Sequence, residues 1–182
     1  MPGDSVERFS NRVDSYAKYR PNYPPEVLRC LQEHMGLTPE TIVADIGAGT
    51  GLLTERFLHN GNVVYAVEPN ENMRKAAEVA LSQYPNLRAV DGRSEATTLP
   101  DGSVDLVTAA QAFHWFEPVG TRAEFVRILR PHGWVALIWN NRRDDSTPFM
   151  TAYRQMLDGL STDYRKVDHK FVADAPAIER FF

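Results

Sequence analysis

The chain has 182 residues, with 20 Lys and Arg against 24 Asp and Glu, so its formal net charge is −4. That balance argues against a dedicated nucleic-acid binder, which needs a basic face, and 43% apolar with 24% charged residues argues against wholesale disorder. The single cysteine, Cys30, excludes an intrachain disulfide and a cysteine-based zinc site, and no apolar run reaches the ~18 residues that span a bilayer.

In chain order, the first ten residues are polar and hold no apolar signal-peptide core, so the expected compartment is the cytoplasm, with no membrane partner. Pro24-Pro25-Glu26 opens a helix carrying Val27, Leu28, Leu31 and Met35. Five short runs follow: Ile42–Ile46, Val63–Val67, Leu87–Val90, Val104–Val107 and Trp134–Trp139. They are β-branched and almost continuously apolar, the pattern of strands buried on both faces. Met73, Ala76, Ala77, Ala80, Leu81 and Tyr84 repeat at helical spacing, with Asn70 as N-cap. Val119, Ala123, Val126 and Leu129 do the same before Pro131-His132-Gly133, read as a helix stop. A short helix is expected between the third and fourth strands, and a further one over Pro148–Leu160. Strands alternating with helices imply an α/β fold, an open and mainly parallel sheet with helices on both faces. From Ser161 the signal is weak, and the apolar end Ala177–Phe182 reads as a chain cut short.

The first strand runs into Asp45-Ile46-Gly47-Ala48-Gly49-Thr50-Gly51. Ligands of open α/β sheets bind at the carboxyl ends of strands, beside the point where strand order reverses. Glycines there take positive φ and let the backbone approach a ligand closely. Glu68 ends the second strand, 17 residues after Gly51. An acid at that place accepts hydrogen bonds from both hydroxyls of a ribose. A nucleotide-like ligand follows. The spacing is G-x-G-x-G, and Leu52 stands where the dinucleotide fingerprint has its third glycine.

Residues 44–51 resemble motif I of class I S-adenosylmethionine (SAM)-dependent methyltransferases, and Val67-Glu68-Pro69-Asn70 with Met73 resembles the motif that follows it. Gly92-Arg93-Ser94-Glu95, with Leu99-Pro100-Asp101-Gly102-Ser103-Val104-Asp105, is similar to a further stretch of that family, and Gln111–Phe116 to its loop after the fourth strand. Tyr16–Pro21 and Tyr23-Pro24 resemble the N-terminal segment of the subgroup with trans-aconitate and ubiquinone-biosynthesis-type methyltransferases. The resemblance implies a Rossmann-like fold over a single domain, 1–182, with a helical cap in 1–40 and a cofactor core in 41–145. It also implies seven strands, of which the last two, an antiparallel pair, find no hairpin signal in Ser161–Phe182.

The resemblance further implies a cofactor, SAM, with S-adenosylhomocysteine as product, and assigns residues to it. Asp45, Gly47, Ala48, Gly49, Thr50 and Gly51 lie along its methionine part. Glu68 holds the ribose, and Pro69 and Met73 lie near the adenine, though Met73 also fits the apolar stripe of its own helix. Ser94 and Glu95 lie at the adenine edge, and Gln111 after the fourth strand. Many relatives carry an acid at the place of Arg93. An Arg cannot accept the adenine amino hydrogen bond, so Glu95 or backbone groups take it.

Tyr16, Tyr19, Arg20, Tyr23, Phe113, Trp115 and Arg142 are candidates for the substrate side or lid, because aromatic faces attract a sulfonium cation and arginines pair with carboxylates. Core packing is the alternative for Phe113 and Trp115, and a solvated ion pair for Arg142. His114 is the one histidine on this rim and is the candidate proton acceptor, or else a structural histidine. No two histidines share metal-ligand spacing, so no metal is expected. The reading is methyl transfer from SAM to a small-molecule acceptor. An NAD(P)-dependent oxidoreductase and a SAM-binding module without turnover are the alternatives.

Overall fold

The computed structural model describes residues 21–141, 146–161, 178–179 and 181–182. The chain divides into two compact units, Met1–Ile138 and Trp139–Phe182. The boundary thus falls at residue 138, where the sequence reading has one domain with a core closing at 145. The tail read as lacking a hairpin lies mostly outside the described residues.

In the first unit the five apolar runs form five strands: β1 (Val43–Ile46), β2 (Val64–Val67), β3 (Leu87–Val90), β4 (Val104–Ala110) and β5 (Leu129–Ile138). All four residues of β1 are buried, which explains why its sequence is continuously apolar apart from Asp45. Among the described residues every pairing between these strands is parallel, in the order β3-β2-β1-β4-β5. The chain leaves β1 toward β2 and β3 and returns to β4 on its other side, so strand order reverses between β1 and β4. Right-handed crossovers then put α2 (Thr54–His59) and α3 (Glu71–Ala80) on one face and α4 (Pro118–Ile128) on the other.

Helix α1 (Glu26–Met35) starts after Pro25 and ends where Gly36 takes φ +67°. Its Leu31 joins Tyr23, Leu37, Val43, Leu53, Phe57, Leu58, Val64, Leu81 and Leu106 in one buried apolar cluster. Asn70 caps α3 as expected, its side chain accepting from the Met73 N–H at 3.1 Å.

Two sequence expectations are corrected on α4 and β5. Val119 is 78% and Val126 66% exposed, and Ala123 is exposed as well. The helix turns Thr121, Glu124, Phe125 and Ile128 inward instead. Its two inward polar side chains find partners in the segment after β3. Glu124 accepts from the Thr97 N–H at 2.7 Å and hydroxyl at 2.6 Å, and the Thr121 hydroxyl donates to Ser94 at 2.8 Å. Hydrogen bonds to Arg127 foremost, and to Thr97, hold the Glu124 carboxyl down at about 2. The helix stops at Ile128 without help from Pro131-His132-Gly133. Leu129 already pairs with Val104, and Trp134 pairs with Leu106, so the tripeptide is an excursion within β5, with His132 at φ +65°. The short helix expected between β3 and β4 is absent from the described residues. Arg93 and Ala96 exchange backbone hydrogen bonds at 3.1 Å in a tight turn there.

In the second unit, α5 (Pro148–Leu160) is capped by Thr147, whose side chain accepts from the Met150 N–H at 3.2 Å. Among the described residues, no helix is long and apolar enough to cross a membrane.

The reversal point is locked by a buried acid. Asp45, 1% exposed, accepts from the Thr54 hydroxyl at 2.7 Å and from the Thr108 hydroxyl at 3.0 Å, so β1, α2 and β4 share one carboxylate. Burial pushes its carboxyl up to about 6 in spite of both bonds. A value raised on folding adds stability in full below the ordinary 3.8, and that contribution is lost as pH rises through about 6. Asp45→Asn is therefore expected to flatten the fall of stability between these limits, measured by urea unfolding. Part of the slope remains through Glu68, which burial raises likewise. An unchanged slope in the variant contradicts this role.

Candidate cofactor site

The glycine loop begins where β1 ends. The Gly47 and Ala48 N–H groups both donate to the Val67 carbonyl, at 2.8 and 3.2 Å, so the loop is tied to the end of β2. Gly47 and Gly51 take φ +70° and +84°, which a side chain rarely tolerates. They are also tightly enclosed. A Cβ on Gly47 would meet Ala112 at 2.7 Å, and one on Gly51 would meet the Leu81 side chain at 2.6 Å. The loop thus runs between α3 and the segment that follows β4, at the reversal point of the sheet.

Glu68 sits one residue beyond β2 and is 8% exposed. One carboxylate oxygen accepts from the Gly49 N–H and the other from the Asn70 N–H, each at 2.9 Å. Burial raises its carboxyl, opposed by these two bonds and by Arg74. Each oxygen keeps a second lone pair, so the side chain can still accept from a ligand. Met73 is buried in α3 and Pro69 is half-buried beside Glu68.

The donor set fits a nucleoside ligand such as SAM. A carboxylate with spare lone pairs suits a ribose diol, and the loop adds a hydroxyl in need of a partner. Thr50 is 7% exposed, and its Oγ1 has no hydrogen-bond partner among the described residues. A buried hydroxyl without a partner is costly, and a polar ligand end lying along the loop relieves that cost.

Ser94 is buried and turned to α4. Its hydroxyl donates to Glu95 at 2.9 Å and accepts from Thr121 at 2.8 Å. Gln111 follows β4 with φ +56°, its N–H on the Ile138 carbonyl at 2.9 Å. A non-glycine residue in that region marks a backbone held by its surroundings.

Phe113 and Trp115 belong to a short turn of 3-10 helix, Phe113–Trp115. Phe113 is 6% exposed and meets Phe116 edge-on at 6.1 Å, the core packing that stood as its alternative. His114 and Trp115 are half-buried, with ring centroids 4.9 Å apart. Tyr23 is 5% exposed in the main apolar cluster, so it is a core residue and not a cover over the site. Tyr16, Tyr19, Arg20 and Arg142 lie outside the described residues.

Among the described residues, no three His, Cys, Asp or Glu side chains are grouped to hold a metal. A cavity of about 230 Å³ lies at the opposite, amino end of β4, lined by Leu37, Thr41, Asp105, Leu106 and Trp134 and by none of the candidates.

Sequence reasoning missed Thr54 and Thr108, the partners of Asp45, and Arg74, which donates to the Glu68 carbonyl at 2.7 Å. Their contacts join positions far apart in the chain or lie outside any motif. The one usable signal was the place of Arg74 one residue after Met73, on the helix that Asn70 caps.

A family model for a methyltransferase domain matches residues 44–137. An uncharacterised methyltransferase of Mycobacterium tuberculosis is 40% identical over 134 residues, covering 74% of this chain and 52% of the relative. The chain therefore spans about half the length of that relative. Among solved structures, a putative type II methyltransferase from Anaeromyxobacter dehalogenans is 32% identical with a TM-score of 0.61, over 76% of this chain and 56% of that one. A putative S-adenosyl-L-methionine-dependent methyltransferase from Methanococcus maripaludis has the same fold, with a TM-score of 0.70 at 18% identity, over 97% of this chain and 79% of that one. The glycine loop, Glu68 and the sheet that carries them lie within or beside the matched span, and the chain belongs to the methyltransferase domain family.

Proposed function

We propose that the chain binds S-adenosylmethionine and transfers its methyl group to a small-molecule acceptor by in-line displacement. The observation that carries this reading is the Glu68 carboxylate, buried at the end of β2 and bonded to the Gly49 N–H of the loop. When bound, S-adenosylmethionine supplies an electrophilic methyl group on a sulfonium. The chain's own work is then to bind, orient and exclude water.

In this reading Glu68 accepts from the ribose hydroxyls, and the backbone of Gly47–Gly51 with the Thr50 hydroxyl holds the methionine end. Asp45 fixes the loop from beneath, through Thr54 and Thr108. Pro69 and Met73 flank the adenine. Ser94 has its hydroxyl engaged with α4, so its part and that of Glu95 is to shape the adenine edge through the backbone. Gln111 and Trp115 line the side of the cleft after β4, Phe113 supports that turn from the core through Phe116, and Tyr16, Tyr19, Arg20 and Arg142 are assigned to the acceptor side. His114 takes the proton where the acceptor is a hydroxyl. A carboxylate acceptor needs no such base.

Titration calorimetry with S-adenosylhomocysteine and with NAD tests the ligand. Binding of the first and silence with the second are expected, and the reverse overturns the reading in favour of a dinucleotide enzyme. Glu68→Ala is expected to weaken S-adenosylhomocysteine binding by about 2 kcal/mol, roughly 30-fold, and an unchanged affinity refutes the ribose contact. Labelled SAM screened against small acids, phenols and amines then identifies the acceptor. On a hydroxyl acceptor, His114→Gln is expected to lower kcat by about 10²-fold without changing S-adenosylhomocysteine affinity. Full kcat in that variant removes His114 from the chemistry.

A further inference from the structure

We infer that Arg74 is a positioning residue of the cofactor cleft, a single guanidinium that ties the carboxyl ends of β2 and β3 together beside the Glu68 carboxylate. The inference rests on the cofactor reading of Glu68 given above.

The parallel ladder between these strands ends with the Glu68 N–H on the Val90 carbonyl at 3.0 Å. The Glu68 carbonyl, next along the chain, is taken by Arg74 Nη1 at 2.7 Å. Arg74 Nη2 lies 3.2 Å from Asp91 Oδ2, one residue past β3. The guanidinium thus continues the link between the two strands past the point where their backbones part. Its side chain is 16% exposed while that of Asp91 is 72% exposed, so the contact to β2 is the sheltered one.

A planar fork with several donors spans two acceptors at once, which a lysine ammonium on its flexible stem does less well. Arg74 leaves α3 in its first turn, where the Arg74 N–H bonds the Asn70 carbonyl at 2.9 Å. Asn70 in turn donates its N–H to Glu68. Backbone and side chain of Glu68 are therefore held from the same helix end, the carboxylate through Asn70 and the carbonyl through Arg74.

The second consequence is electrostatic. Among the described residues, the charged groups acting on the Glu68 carboxyl are Arg74 on α3, which draws it down, and Asp45 on β1, which pushes it up. Asp91 bears on it through its pairing with Arg74. An ionised Glu68 is the better acceptor for two ribose hydroxyls. Cofactor binding should then weaken as pH falls and Glu68 is protonated, and loss of the Arg74 charge should move that decline to higher pH.

The test is titration calorimetry with S-adenosylhomocysteine across pH 5 to 8 on the wild type, Arg74→Met and Arg74→Lys. Arg74→Met is expected to bind at least tenfold more weakly at neutral pH, with its acid decline displaced to higher pH. Arg74→Lys is expected to bind more weakly than the wild type while keeping the wild-type pH dependence. Wild-type affinity and pH dependence in Arg74→Met overturn the inference and leave the cofactor reading standing. Weaker binding with an unmoved decline means support of the fold alone and overturns it too. Should Arg74→Met fail to fold, Arg74→Lys decides, and wild-type affinity in that variant overturns the inference. No binding by the wild type at any pH overturns the cofactor reading and this inference with it.

Discussion

A carboxylate shut away from water has to find its hydrogen bonds inside the protein, and where it finds them decides what else is held in place. Glu68 takes one N–H from Gly49 in the loop after β1 and one from Asn70 at the start of α3. A single side chain at the end of β2 therefore joins the ends of two strands and one helix. The Val67 carbonyl beside it receives two more N–H groups from the same loop, at 2.8 and 3.2 Å. The loop owes its shape to these contacts as much as to its glycines. Without the carboxylate the Gly49 N–H would lose its partner at the point where a ligand has to approach.

Asp45 does the matching work below. It cannot reach solvent, so it draws the Thr54 and Thr108 hydroxyls onto its two oxygens. Those residues come from α2 and β4, on the two sides of the reversal point. Two buried acids thus brace one loop, Asp45 where it leaves β1 and Glu68 along its length. Burial raises both carboxyls. Each is held against that cost by donors that the fold supplies, and a ribose at Glu68 would add two more.

The sequence made the parts built from local rules legible. Five apolar runs of the right length marked the strands. Of these, β1, β2 and β4 are mostly buried, where little room is left for polar alternation, while the edge strands β3 and β5 read as equally apolar yet keep every residue at least partly exposed. Asn70 was readable as a cap because its side chain serves an N–H only three residues on. The glycine loop and Glu68 were readable because their spacing and place on a strand–turn–helix unit belong to ligand-binding chemistry. What stayed hidden depends on partners distant in sequence. Thr121 and Glu124 look like solvent-facing residues until Ser94 and Thr97, 27 residues earlier, satisfy them. The apolar stripe of Val119, Ala123 and Val126 then misled, since the rotation of α4 was set by those polar partners and by Phe125 and Ile128. Thr108 lies 63 residues from Asp45. Tyr23 reads as a candidate for the substrate side or lid, yet it joins the main core. An aromatic residue in a Pro-rich segment reads the same in either setting.

The claim on which the rest depends is that Glu68 and the glycine loop form one cradle for the nucleoside ligand. A crystal structure of the complex with S-adenosylhomocysteine tests it most directly. The expected result is a ribose diol hydrogen-bonded to the Glu68 carboxylate, with the homocysteine end along Gly47–Gly51 and a partner for the Thr50 hydroxyl. A ligand whose ribose leaves Glu68 untouched, or one seated at the amino end of the sheet beside Trp134, would contradict it.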